Sequence, residues 1–135
     1  MKNIKYSYVA IHVAVHLLLA GLLYFTVQPD LAFNFTKLAL IALGTAVVDL
    51  DHLMLWKEKG MSGYLYLRTV VESGKGRKYK FHNFLVLFGA FGGSLLILVN
   101  DYFFIGLFFA AVALHLLWDI FEDLVVFKMG YGHWI

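Results

Sequence analysis

Residues 7–28, 36–56, 82–99 and 102–127 form four apolar runs, each close to the ~20 residues a helix needs to cross the hydrocarbon layer of a bilayer. In that layer a backbone amide has no water to bond, so such a run has to satisfy its own hydrogen bonds as a helix. Composition agrees: 61% of the 135 residues are hydrophobic and 18% aromatic, with a mean hydropathy of +0.77. A soluble domain of this length carries more charge. The expectation is an all-α polytopic membrane protein, a single four-helix transmembrane domain over residues 1–135. Lys2 and Lys5 precede the first run as in a signal peptide, but its apolar stretch is longer than the usual ~7–15 residues, which predicts a retained helix.

The connections set the arrangement. Pro29-Asp30 marks one turn, and Asn100-Asp101 makes another so short that the third and fourth helices must be antiparallel neighbours. Residues 57–81 form a long link with Gly60, Gly63, Gly74 and Gly76 among aromatic and aliphatic residues, which predicts an interfacial segment between the second and third helices. Four crossings leave both termini and this link on one side. That side holds Lys2, Lys5, Lys57, Lys59, Arg68, Lys75, Arg77, Lys78, Lys80 and Lys128, against Lys37 alone on the other. The bias predicts cytoplasmic N- and C-termini. A net charge of +2 is too small to argue for nucleic acid as a partner.

Within these apolar runs lie residues that are expensive there. Asp49-Leu50-Asp51-His52 ends the second run, and acids or imidazoles inside a membrane helix default to a functional role. At about 1.5 Å of rise per residue, His16 lies roughly 13 Å below the cytoplasmic edge, Asp49 roughly 10 Å, His52 roughly 6 Å, and His115, Asp119 and Glu122 roughly 18, 12 and 8 Å, with His82 at the edge itself. Every helix thus brings a histidine or carboxylate to the cytoplasmic half. Residues three or four apart share a helical face, so His12 pairs with His16 and Asp49 with His52, while His115, Asp119 and Glu122 form one stripe. Asp51 and Asp123 fall off these stripes.

The chain has no cysteine, so any metal must be held by nitrogen and oxygen. Imidazole and carboxylate together suit a divalent transition metal, zinc foremost with manganese or iron as alternatives, and an open coordination position beside them is the basis of hydrolysis. A carboxylate not spent on coordination, such as Glu122, serves as general base or orients a ligating imidazole. Lys75, Arg77, Lys78 and Lys80 ahead of His82 can draw a phosphate or an anionic lipid headgroup to the mouth of such a site.

The order of a histidine in helix one, Asp49-Leu50-Asp51-His52 closing helix two, a basic stretch leading to His82, and His115-x-x-x-Asp119 in helix four resembles the membrane-bound metal-dependent hydrolases, the LexA-binding inner-membrane hydrolase-like group. The resemblance extends over nearly the whole chain. That family's pattern is Pro-Asp-x-Asp-His, a His-Arg stretch leading to Thr-His-Ser, and His-x-x-x-Asp; here Val48 replaces the proline, Phe81-His82-Asn83 replaces Thr-His-Ser, and Arg77 stands about where the family has its additional histidine. The resemblance implies a multi-pass protein of the plasma (inner) membrane. It implies a metal or catalytic set of Asp49, Asp51, His52, His82, His115 and Asp119. Adding His16 from the depth argument gives metal ligands His16, Asp49, His52, His82, His115 and Asp119, with Asp51 and Glu122 as catalytic carboxylates. The function expected is metal-assisted attack of water on an ester or phosphoester, lipid included, at the cytoplasmic leaflet.

Other readings compete. His16, His52 and His115 in a four-helix bundle can bind haem as in a b-type cytochrome, though interleaved carboxylates would crowd a porphyrin. The same acids can carry a cation or proton without chemistry, or hold metal in a non-catalytic scaffold. His115 and Asp119 can be an interhelical hydrogen bond, and Asp49 to His52 a solvated helix end. His12 reads as an outer contact or lipid-edge group, and His133 beside Trp134 as an interfacial anchor. Gly89 and Gly93 form a small-x-x-x-small pattern suited to close packing within the bundle, and a homo-oligomer is also compatible with the composition.

Overall fold

The computed structural model describes residues 6–27, 32–50 and 81–126, and among these every regular element is helical. Helix α1 spans Tyr6–Val27, α2 Phe35–Val48, α3 Phe84–Ser94 and α4 Phe103–Phe121. Two 3₁₀ turns, Leu95–Leu98 and Asn100–Tyr102, link α3 to α4, and a π-helical turn, Glu122–Val126, follows α4. The helix starts are chemically marked. The Asn34 side chain accepts from the Lys37 amide at 3.0 Å and the Asn83 side chain from the Val86 amide at 2.9 Å, each satisfying an orphan donor of the first turn.

Helix α4 is the spine. It packs along α2 and α3 over most of its length and meets α1 as well. Gly44 of α2 lies so close to α4 that a Cβ there would stand 2.6 Å from the Phe108 carbonyl oxygen, and Gly106 of α4 leaves similar room for the Leu96 and Ile97 backbone. Close helix contact of this kind needs a residue without a side chain. In the expected small-x-x-x-small pair the two residues differ: Gly93 packs on the Phe109 ring, whereas a Cβ at Gly89 would meet nothing within 4 Å.

Two apolar clusters fill the bundle. Tyr24, Ile41, Leu107 and Ala111 make one; Val48, Leu87, Ala90, Val112, Ala113 and Leu116 make the other. Beyond the first cluster, the Tyr24 hydroxyl donates to the Ala32 carbonyl and accepts from the Asn34 amide, and Lys37 Nζ donates to the last carbonyl of α1, at Val27, over the Phe103 ring. Beyond the second cluster lie the polar residues. The contacts of Gly106 with residues 96 and 97, Gly93 with Phe109, and His82 with Asp119 run in opposite chain directions, so α3 and α4 are antiparallel.

Two expectations need adjustment. Residues 82–99 do not form one α-helix: α3 gives way to 3₁₀ geometry after Ser94, letting the chain close onto Gly106 before the turn at Asn100. The span of residues 36–56 has helix to Val48, with Asp49 as its cap, and residues 51–80 lie outside the described part, including the expected interfacial segment. Among the described helices, the stretch Asn100–Val125 is long and apolar enough to cross a membrane. The stretches Ile11–Val27, Phe35–Val48 and Phe84–Leu98 are apolar but shorter.

Candidate metal centre

Asp119 stands at the centre of the polar end of the bundle, 7% exposed, one helical turn after His115, which is 1% exposed. Their spacing of four puts them on one face of α4, with His115 Nε2 at 3.2 Å from Asp119 Oδ2. His82 approaches the same oxygen from the residue before the α3 cap, its Nε2 at 3.2 Å. The other oxygen, Oδ1, faces His16 Nε2 from α1 at 3.4 Å. Asp49, the C-cap of α2, brings Oδ1 within 3.5 Å of His115 Nε2. Three chain segments therefore meet at the Asp119 carboxylate, and a fourth, the end of α2, joins through His115.

The neighbours of this cluster orient it. His16 Nδ1–H donates to the His12 carbonyl at 3.0 Å, which assigns the proton to Nδ1, because a carbonyl can only accept. His12 Nδ1 in turn lies 2.9 Å from Glu122 Oε2. Glu122 opens the π-helical turn directly after α4 and is 5% exposed. The His16 and His115 rings stack with centroids 3.9 Å apart and planes inclined by 26°.

These distances have a chemical meaning. A charge-assisted hydrogen bond between imidazole and carboxylate runs about 2.7–2.9 Å. The contacts at Asp119 are 3.2 to 3.4 Å, and His16 Nε2, His115 Nε2 and both Asp119 oxygens are buried without a hydrogen-bond partner. Donors placed about 2.0–2.1 Å from a tetrahedral ion are separated by about 3.3 Å, which is the spacing found here. The groups that face the buried Asp119 carboxylate are the imidazoles of His16, His82 and His115. Two groups of residues can each hold a metal ion, with ligand atoms within 4.8 Å of one another: His12, His16 and Asp119, and Asp49, His82 and His115.

Of the ligands expected from sequence, His16, Asp49, His82, His115 and Asp119 come together; His52 and the catalytic candidate Asp51 lie outside the described residues. The other catalytic candidate, Glu122, sits against an imidazole, where it fixes His12. His12, expected as an outer contact, belongs to the cluster. Its i, i+4 relation to His16 was the available signal; what the sequence lacked was the partner 110 residues away. Compared with protein-family models, with curated proteins and with solved structures, the chain finds no match in any of the three.

Proposed function

We propose that this chain is a multi-pass integral-membrane hydrolase that uses a divalent metal, zinc in the first instance, to activate water against an ester or phosphoester at the cytoplasmic leaflet, in the manner of the membrane-bound metal-dependent hydrolases it resembles. The observation that carries the reading is Asp119: a buried carboxylate whose oxygens face three imidazole nitrogens at tetrahedron-edge distances without directed hydrogen bonds. His82 and His115 at Oδ2 of Asp119, with Asp49 against His115, offer a two-nitrogen, two-oxygen set that suits zinc, with manganese and iron as the nearest alternatives. Such an ion supplies Lewis acidity and brings the ionisation of water toward neutral pH. The protein's own part is to hold the imidazoles in their ligating tautomer, exclude bulk water, and accept a proton on a carboxylate not spent on coordination, for which Glu122 and Asp51 are the candidates.

Membrane residence is supported by the surface. Ile11, Leu17, Leu22, Leu43, Leu85, Phe88, Leu95 and Leu98 are exposed, Leu85 by 83% and Leu98 by 82%, while His115, Asp119 and Glu122 are buried. Apolar outside and polar inside is the pattern of a bundle solvated by lipid. A haem is disfavoured by the stacking of His16 on His115, since axial imidazoles have to sit on opposite faces of a porphyrin. The test is a purified, zinc-loaded protein assayed on chromogenic phosphodiesters, phosphomonoesters and carboxylic esters. Hydrolysis should fall at least 100-fold in Asp119→Asn and His115→Ala. No bound metal, or equal metal content in these variants and the parent, would sink the reading.

A further inference from the structure

A cation held by Asp49, His82 and His115 would engage Oδ2 of Asp119, yet Oδ1 of the same carboxylate faces His16 of α1, whose neighbour His12 groups with it as a second candidate site. Building on the metal reading above, we infer that the centre takes two divalent cations bridged by Asp119: one on Oδ2 with Asp49, His82 and His115, the other on Oδ1 with His12 and His16.

The stacked rings are the first reason. An imidazole nitrogen binds a metal close to its own ring plane, about 3 Å from the ring centre when the bond is ~2.0–2.1 Å. The planes of His16 and His115 are inclined by 26° with centroids 3.9 Å apart, so they do not converge within that reach. A single ion cannot lie in both. Two ions, one in each plane, are served by a ring separation inside the ~3.5–4 Å typical of paired metals.

The second reason is the protonation pattern on α1. Donation from His16 Nδ1 to the His12 carbonyl leaves the Nε2 lone pair for a ligand, and that atom is buried, without a hydrogen-bond partner, 3.4 Å from Asp119 Oδ1. Lone pair facing carboxylate is repulsive unless a cation lies between them. His12 carries the other mark of a ligating histidine, a carboxylate on one ring nitrogen, here Glu122 Oε2 at 2.9 Å on Nδ1.

The experiment is metal counting on the full chain in detergent, loaded with Zn²⁺ and desalted, with Mn²⁺-loaded samples examined by electron paramagnetic resonance. The parent should carry two ions per chain and give a spin-coupled manganese signal. His16→Ala and the bulkier His16→Gln should carry one ion, with the signal of an isolated Mn²⁺. One ion in the parent overturns the bridged pair and leaves the hydrolase reading standing. None overturns both. Two ions retained in both His16 variants overturn the assignment of the second ion to α1. The parent's count and spin coupling decide the matter even if a variant does not fold.

Discussion

A carboxylate enclosed by imidazoles needs a positive partner, and at Asp119 the nearest nitrogens, 3.2 to 3.4 Å away, are not directed as hydrogen-bond donors. The chemistry of the centre is therefore set by which atoms point inward, and that is controlled one layer out. Glu122 holds His12, and the His12 carbonyl holds His16. Loss of such an orienting partner commonly costs about 10–100-fold in metal affinity. Glu122→Gln should weaken the ion proposed on His12 and His16 by that factor and leave the other unchanged, read by competition with a chromogenic chelator. Equal loss at both ions would mean that Glu122 acts on the whole centre rather than through His12. The role was half legible in the sequence: the His115, Asp119 and Glu122 stripe was visible as an i, i+4 pattern, but the pairing of Glu122 with His12 depends on how α1 rotates against α4. Local spacing carries no information about that rotation.

At the scale of elements, the centre depends on how closely α2 and α3 can approach α4. Gly44 sets the first approach, and a leucine there has to displace the Phe108 carbonyl and Ala111. Overpacking of this kind costs about 1–3 kcal/mol or more. Gly44→Leu should thus lower the thermal midpoint and also loosen Asp49, one turn along the same helix, so that zinc affinity falls together with stability; an unchanged midpoint would remove α2 packing from the account. Asn83 gives a second handle. As the cap directly after His82, its replacement by alanine should cost about 1 kcal/mol and blunt metal binding, whereas Asn34→Ala, capping α2 at the opposite end, should cost a similar amount with metal binding intact. Both helix starts were readable to within two residues from the apolar runs beginning at 36 and 82, although Asn34 and Asn83 were not identified as their caps. The 3₁₀ passage at Leu95–Leu98 was not, because uniformly apolar residues suit either helix, and the choice is made by backbone contact with Gly106.

On the scale of the whole molecule, a cation bound as proposed and the bundle would stabilise each other. The centre joins α1, the end of α2, the residue before α3 and the last turns of α4, so an ion bound there favours the packed arrangement over any opened one. A ligand at about 1,000 times its dissociation constant adds roughly 4 kcal/mol. Zinc should raise the thermal midpoint of the detergent-solubilised protein by several degrees, chelation should reverse this, and Asp119→Asn should abolish the shift. The arrangement in the bilayer makes the last demand. If the chain crosses four times with the basic side inward, as ten cationic residues against Lys37 predict, then Ser7 and Asp123 lie toward one face and Phe33 and Asp101 toward the other. The chain has no cysteine of its own, so single cysteines at these positions report cleanly. A membrane-impermeant maleimide applied to sealed spheroplasts should label Phe33→Cys and Asp101→Cys, and should reach Ser7→Cys and Asp123→Cys only after permeabilisation. Labelling of all four without permeabilisation, or recovery of the protein after an alkaline wash in the supernatant, would refute the four-span bundle. A single span through α4 predicts a different split, with residues 7 and 33 on the side of Asp101. Separation of Ser7 from Phe33 with Ser7 kept beside Asp123 requires both α1 and α4 to cross, and the same label at Lys75→Cys, shielded until permeabilisation, separates four crossings from two.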